Sequence, residues 1–532
     1  QGHDRLGQGG GICRCQVLRC GMIASLWIFV AYELRLVTTR ATGGAVAGGA
    51  EAVVAERLAQ VHADGFRRQK NRRLDNRPEF TAIAFHLGHD ASVAVGIGGR
   101  VQCVLELERL FNIRYYPPRT QLHEVRDHWR RVLEVVQDRC ECDTGAFPTH
   151  FDVGLYSPYR WHEEKHTFGA VVRTIIEERF MVERWQRVDH HEAHARLGFF
   201  ASPFKSALIV SMDAGGNDGF LNAYLGSFGE VTRLARLDYN LGLAYDILAF
   251  LVPEVTGWPL NGNHSKRPGR KPFDVCKYYA LDTSKDVSDA WAGKLMGYAA
   301  TARPREDLVG PIMEIFLRPI NRWSGWMASS RAMHPKLVDT ACEGVQGQRA
   351  VAATTQLVFQ RVVHDIVEKL LPEAGGQRHV DGIVLTGGCS LNVLANQLVE
   401  DSFGLPVYVP PAPNDGGISV GALWAAQPPR KIAPLQYLGF PLWDLDSLER
   451  HAEQRSAIRI EEPEDLANIL VDSNPDGERP IVAVVRGRQE LGPRALGHRS
   501  LLVVPDSVNV RDRLNRLKHR QWYRPVAPLV AV

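Results

Sequence analysis

FTAIAFHLGHDASVAVGIGGRVQCVLELERL, residues 80–110, and ALIVSMDAGGNDGFLNAYLGSFGEVTRLARL, residues 207–237, decide the fold. The first reads as a strand, a polar turn at His89-Asp90, a second strand, a Gly-Gly turn and a third strand. The same grammar returns in the second, with its first turn at Asp213 to Gly219 and a Gly-Glu turn after the next strand. Between the two stands HHEAHA, which begins at His190 and sets His190 and His194 four residues apart. If that stretch is helical, both imidazoles project from one face and can share a metal ion. The best candidate for a third ligand is Asp415, in the glycine-rich turn PNDGG. Two histidines and a carboxylate suit iron, zinc or manganese. The zinc-protease motif H-E-x-x-H does not fit, because His191-Glu192-Ala193-His194 lacks the two intervening residues. The plainer alternative is an ordinary pair on a helix surface, and the neighbouring motifs weigh against it.

A hairpin of this form occurring twice resembles the duplicated actin, Hsp70 and sugar-kinase superfold, in which each turn faces a phosphate or acyl group held between two lobes. Two unrelated hairpins are the rival reading. Backbone N–H groups in glycine turns bind oxyanions, which is the role expected of Gly215 and Gly216. Further on, an amphipathic helix from about Gln348 to Leu371 leads into the apolar strand Gly382 to Leu385 and then TGGCSLN. Thr386-Gly387-Gly388, ahead of a helix starting near Leu391, is a turn that lets a nucleotide approach the backbone. The strand PVYVP and the Asp415 turn follow, as a second lobe requires. Pro428, Pro429 and Pro434 read as a linker. The expected fold class is therefore α/β, with a duplicated domain over residues 78–428 and a further C-terminal domain over 436–532.

Composition sets the outer bounds. A chain of 532 residues, 45% hydrophobic, should hold two or three domains with real cores. Its net charge of +3 implies no broad nucleic-acid-binding surface. Arginines nevertheless crowd the C-terminal segment, in RQELGPRALGHRSLLVVPD and RDRLNRLKHRQWYRPVAP. A solvated charge run would be interrupted by carboxylates and not threaded with glycine, proline and apolar strand residues. A phosphate pocket gripped by guanidinium forks is the preferred reading. Nine cysteines without a CxxC pair suggest reduced thiols in a cytoplasm-like compartment, with Cys140 and Cys142 as ordinary thiols. The apolar run from Met22 to Tyr32 is too short to span a bilayer, so no membrane partner is expected. Everything up to about residue 77 is glycine- and arginine-rich without periodicity and reads as a disordered or spurious leader, a signal peptide being the alternative.

Taken in order, these motifs resemble those of the O-carbamoyltransferase family that includes the nodulation-factor, cephamycin and tobramycin carbamoyltransferases. His89-Asp90-Ala91-Ser92 looks like its H-D-(A/S)-(A/S), HHEAHA like its H-H-x-A-H-A, and GKLMGYA at Gly293 like its K-x-M-G-L-A. TGGCSLN is similar to G-G-x-x-L-N and the Asp415 turn to D-x-G. GPRALGHRS at Gly492, followed by LNRLKHRQWYRPVAP, is the most specific match. The resemblance implies a duplicated domain with an iron site, joined to a YrdC-like domain that makes carbamoyl-adenylate from carbamoyl phosphate and ATP. The carbamoyl group then passes to a substrate hydroxyl. Carried over, His190, His194 and Asp415 would hold Fe(II) or another divalent metal, with magnesium as a second candidate ion. Gly387, Gly388 and Asn392 would line the adenylate. Arg494, Arg499, Lys518, Arg520 and Arg524 would bind carbamoyl phosphate and ATP.

The chemistry suits these residue types. His89 could take the acceptor hydroxyl proton, with Asp90 beside it, since an imidazole titrates near the operating pH. Asp213 could orient the acceptor or a metal-bound water; capping of the turn is the competing role. The family pattern is broken where Thr301-Ala302-Arg303-Pro304-Arg305 follows GKLMGYA, and again between Asn515 and Lys518, one residue shorter than the pattern. The resemblance also implies further C-terminal sequence, through an L-N-T-S-F-N motif, so the YrdC-like domain is expected to be incomplete at Val532. Two rival functions remain: a kinase or ATPase on the same superfold, and a non-catalytic nucleotide-binding fragment. The expected partner is a small hydroxyl acceptor, which the sequence does not identify, with homodimerisation as in many family members and a cytoplasmic location.

Overall fold

The computed structural model describes residues 79–116, 121–158, 168–262, 273–274, 290–318, 333–432, 434–442, 445–457, 460, 462–472 and 478–529. The expected leader and its apolar run lie outside them. Contacts divide the chain into one unit over Arg40–Pro525 and another made of Gln1–Thr39 and Val526–Val532. Of the latter, Val526–Leu529 are described and form neither helix nor strand. Among the described residues no helix is long and apolar enough to cross a membrane.

The first hairpin folds as β1 (Thr81–His86), β2 (Ser92–Ile97) and β3 (Arg100–Glu106), antiparallel throughout. All but the outermost positions of these strands are buried, as a sheet covered on both faces demands. Helices α1 (Leu107–Phe111) and α2 (Leu122–Arg139) then carry the chain to β4 (Val153–Ser157), parallel to β1, and on to β5 (Trp185–Arg187). The sheet order is β3-β2-β1-β4-β5. After α3 (His190–Ala201) the pattern repeats with β6 (Ser206–Gly216), β7 (Gly219–Ser227) and β8 (Glu230–Leu237). The outer helices α4 (Trp291–Ala299) and α5 (Val345–Glu373) precede β9 (Gly382–Thr386), parallel to β6. After α6 (Val393–Phe403), β10 (Val407–Tyr408) completes the order β8-β7-β6-β9-β10. Two sheets with one strand order and one pattern of direction make the fold α/β and duplicated, as the repeated hairpin implies.

Helix α7 (Ile418–Ala426) follows the second sheet yet packs on the first, while α3 follows the first sheet and packs on the second. The two lie against each other between the sheets. The sequence of α7, ISVGALWAA, is apolar on every side, and every residue of it is buried. Gly421 permits the close crossing: a Cβ there would overlap the Ala193 carbonyl oxygen. This exchange of helices brings the start of α3 and the turn before α7 to one place.

Beyond residue 434 the chain covers the free edge of the first sheet. Val104 of β3 donates to Leu438 O at 2.9 Å, and residues 436–440 ladder in turn with 489–491. Covering that edge removes a row of unpaired backbone groups. Arg488 latches the arrangement, donating to Gln102 O, Leu438 O and Gly439 O at 2.7–2.9 Å. A two-stranded ribbon of β11 (Val482–Val485) and β12 (Arg499–Leu502) and helix α8 (Val508–Leu517) complete the segment. Its end reaches the second lobe, where the Tyr523 hydroxyl donates to Glu254 O at 3.3 Å.

Two expectations are corrected. The turn expected over Asp213 to Gly219 is only Asn217-Asp218, because β6 stays extended to Gly216 through an irregularity in its ladder after Met212. The expectation of reduced thiols fails for Cys103 and Cys140, which form a disulfide with Cα atoms 5.7 Å apart. A sequence separation of 37 gave no sign of it: α2 folds back across the sheet and sets the residue just past its end, Cys140, over β3. Cys142 and Cys389 are free thiols.

Candidate functional site: a buried histidine–aspartate cluster

HHEAHA forms the first turns of α3, and its three histidines part company. His190 and His194 share one face, with their Nε2 atoms 3.2 Å apart and both rings fully buried. His191 points to the sheet instead, bonded through Nδ1 to Ser211 Oγ at 2.7 Å and through Nε2 to Gly219 O at 3.1 Å. The helix start is held by the β6–β7 turn: His190 N donates to Asn217 Oδ1 at 2.9 Å, and His191 N to Asp218 Oδ1 at 3.0 Å. These bonds satisfy amides that a helix N-terminus leaves open. Capping the histidine helix is thus what the Gly-Gly-Asn-Asp sequence does.

Asp415, 1% exposed, enters from the turn before α7. Its Oδ1 lies 3.4 Å from Nε2 of both His190 and His194. Asp213 Oδ2 lies 3.5 Å from His194 Nε2. One ligand atom from each of the four residues falls within 4.8 Å of the others. Oδ2 of Asp415 faces two further imidazoles, His86 Nε2 at 3.4 Å and His89 Nε2 at 3.5 Å. A buried carboxylate ringed by four imidazoles has its charge compensated but no hydrogen bond of ordinary geometry on either oxygen. Against the cost of burial, the imidazoles around it, the protonated His194 among them, hold Asp415 well below the usual carboxylate range. His190 is driven far down by burial, so its ring is neutral, whereas His194, despite burial, is raised to about 9 by Asp213 and Asp415. Asp213, which burial and Asp415 would raise, is lowered to about 2 by His194.

The glycines of the site have specific work. A Cβ on Gly216 would stand 2.8 Å from the Cβ, Cγ and Cδ2 atoms of His190, so Gly216 makes room for the ring. Gly387 has φ +83° and no space for a Cβ against Met212 O. Gly388 N donates to Asp213 Oδ2 at 2.8 Å, which ties the TGG turn to the cluster. Gly215 is buried in β6. The Asn392 side chain is occupied in a reciprocal 3.0 Å amide pair with Gln356 and caps α6 through Ala395 N, so its amide is already committed to the fold.

His89 is 23% exposed at the rim, with Nδ1 3.3 Å from Asp90 Oδ2. Asp90 takes φ +55° and also accepts from Asn414 Nδ2 at 3.1 Å, which joins the first hairpin's turn to the Asp415 turn. His86 is the residue that sequence reasoning missed. The signal lay in the repeat: His86 closes the first strand of the first hairpin, and Asp213 sits where the first strand of the second departs from its ladder.

The C-terminal arginines gather on the TGG side. Arg494 Nη2 lies 3.4 Å from Leu391 O, at the end of the turn that begins at Gly388. Burial depresses Arg520 to about 10, helped by Arg524, Arg494 and Arg114. Arg524 and Lys294 are lowered by burial and by Arg114, and Lys518 by burial and Arg520. Guanidinium groups that depress one another leave a field of one sign, favourable to an anion. Arg114 and Lys294 were not among the residues expected there. Arg499 turns elsewhere, its guanidinium donating to Arg486 O, Gly487 O and His498 O of its own ribbon.

Residues 164–424 match the family described as Carbamoyltransferase N-terminus, and residues 477–532 that described as Carbamoyltransferase C-terminus. Nodulation protein U of Rhizobium tropici is 30% identical over 487 residues, which cover 83% of this chain and 76% of that protein. Nodulation protein U of Azorhizobium caulinodans is 32% identical over 45% of this chain and 43% of its own length. The solved structure of HypF from T. kodakarensis has a TM-score of 0.41 at 17% identity, over 66% of this chain and 48% of that one, and adds nothing to the topology. The chain spans about half the length of several curated relatives it matches. With both halves of the family description matched in order, and a relative at 30% identity over most of its length, the chain belongs to the carbamoyltransferase family.

Proposed function

We propose that the protein is an ATP-dependent O-carbamoyltransferase. Water cleaves carbamoyl phosphate to carbamate and phosphate, the carbamate displaces pyrophosphate from ATP to give carbamoyl-adenylate, and the carbamoyl group then moves to a hydroxyl of a sugar-containing or other secondary metabolite, with loss of AMP. The observation that carries this reading is the buried meeting of His190, His194, Asp213 and Asp415 beside the TGG turn, in a chain of this family.

The donor set fits a divalent cation. Two imidazole nitrogens face each other at 3.2 Å, and neither Asp415 oxygen has an ordinary hydrogen bond. Two histidines and two carboxylates suit iron, zinc or manganese. When bound there, such an ion supplies Lewis-acid polarisation of the carbamoyl carbonyl. The chain's own groups do the rest. His89, at the rim, has Asp90 at Nδ1 and Asp415 at Nε2; it accepts the acceptor hydroxyl proton at Nε2, and the two carboxylates orient the ring and stabilise the imidazolium that forms. Asp213 holds the TGG turn against the cluster through Gly388 N. Arg494, Lys518, Arg520 and Arg524, joined by Arg114 and Lys294, neutralise the phosphates of the donors. We assign transfer to residues 78–428 and donor activation to a YrdC-like domain within 436–532. ATP and carbamoyl phosphate are donors of the cell interior, so the reaction is placed in the cytoplasm.

The test is pyrophosphate release from ATP. It should require carbamoyl phosphate and fall by about 10²-fold in Arg494→Ala, which removes a cation from the donor phosphates. Release of phosphate and ADP in place of pyrophosphate, without need of carbamoyl phosphate, would point to an ATPase instead.

A further inference from the structure

Glu106 is a buried carboxylate that the reaction above does not use. It ends β3, is 6% exposed, and burial pushes it up to about 7. Its Oε2 accepts from the main-chain N–H of Gly492 at 3.3 Å. The carbonyl of that same residue accepts from Arg109 Nη2 at 2.8 Å. Arg109 Nε is in turn 3.6 Å from Glu106 Oε2. One glycine of the GPRALG motif is therefore gripped at both its backbone polar groups by two side chains one helical turn apart. The other carboxylate oxygen, Oε1, lies 2.8 Å from where a Cβ of Gly416 would stand, next in sequence to Asp415. Gly492 has φ +91° and sits so tightly on Pro411 and Ala412 that it admits no side chain.

Two residues after Gly492, Arg494 reaches Leu391 O beside the TGG turn. The clamp thus stands between the turn that carries Asp415 and the segment that carries Arg494. A desolvated acid at this point is costly unless it fixes geometry.

We propose that Glu106 and Arg109 are positioning residues that lock the Gly492 peptide to the Asp415 turn, so that the histidine–aspartate cluster and the arginine segment are held in register by one clamp. This rests on the proposed function in so far as Arg494 serves the donor. If the two sites are coupled in this way, filling one stiffens the other, and the effect is reciprocal. Glutamine at position 106 retains an acceptor for Gly492 N–H, whereas leucine leaves that amide without its acceptor, Arg109 keeping only Gly492 O and Glu108.

Amide hydrogen exchange on the full chain, with and without zinc as the probe for the cluster, tests the clamp without any turnover. The wild-type amides of residues 490–496 should exchange slowly, and more slowly with zinc. Glu106→Leu should exchange there about tenfold faster and lose the response to zinc, while β1 and β6 keep their protection. Glu106→Gln should restore both the slow exchange and the zinc response. The clamp is overturned if Glu106→Leu leaves residues 490–496 as in the wild type. It is overturned equally if Glu106→Gln behaves as the leucine variant, or if loss of protection extends through both sheets in each. Absence of pyrophosphate release would count against the proposed function and leave these outcomes readable.

Discussion

Gly216→Ala places one methyl group against a candidate metal ligand. The added Cβ would lie 2.8 Å from three carbon atoms of His190, where carbon–carbon contacts settle at about 3.5–4.0 Å. The ring must therefore give way by about 0.7 Å or more, yet His190 is wholly buried and its main chain is pinned by Asn217. Overpacking of this kind costs about 1–3 kcal/mol of stability. The displaced Nε2 moves relative to Asp415 and His194, and disturbance of a ligand's support lowers metal affinity by about 10–100-fold. Competition against a chelator, with zinc or iron(II), reads the affinity, and thermal melting reads the stability. Gly293→Ala serves as the control, because the nearest atoms to its added carbon are 3.9 Å away. If folded Gly216→Ala held metal within twofold of the wild type, Gly216 would not be the spacer for His190, and an anion-binding turn would be restored as its role.

Other expectations follow from neighbouring features. His191→Ala strands Ser211 Oγ and Gly219 O, so urea midpoints should show a loss of about 2–3 kcal/mol with metal content unchanged. Glu106 titrates near 4.5 when unfolded and at about 7 in the fold. Below pH 4.5 both states hold the proton; between pH 4.5 and 7 only the folded state does, so stability falls by about 3 kcal/mol as pH rises through that window. Glu106→Gln should flatten that dependence in denaturant titrations at successive pH values. Reduction of the Cys103–Cys140 disulfide opens a loop of 37 residues and should cost about 4 kcal/mol in urea unfolding, an effect absent from Cys103→Ser.

The duplicated sheets were legible because strand pattern and turn chemistry agree in both hairpins, and because a helix-period segment precedes the second apolar strand. His190 and His194 were legible through their spacing, and Asp415 through a turn that the fold had to bring back. His86 was not, since nothing local separates a histidine that ends a buried strand from a core histidine. Gly215-Gly216 was read as an anion turn because the irregularity after Met212, which keeps β6 extended, depends on pairing across the sheet. The exchange of α3 and α7 between sheets and the docking of residues 436–440 on β3 are long-range events without a local signature. Arg114 and Lys294 joined the arginine group for the same reason, and Arg499 left it because carbonyls of its own ribbon lie within reach.

The most direct measurement is the metal content of the purified chain after anaerobic loading with iron(II) or zinc and removal of loose ions, compared with His194→Ala. One divalent ion per chain, lost in His194→Ala while the variant stays folded, is the result expected of a cluster built from His190, His194, Asp213 and Asp415. A folded wild-type chain that retains no ion, or a His194→Ala variant that retains as much, would contradict the metal centre on which the proposed transfer chemistry depends.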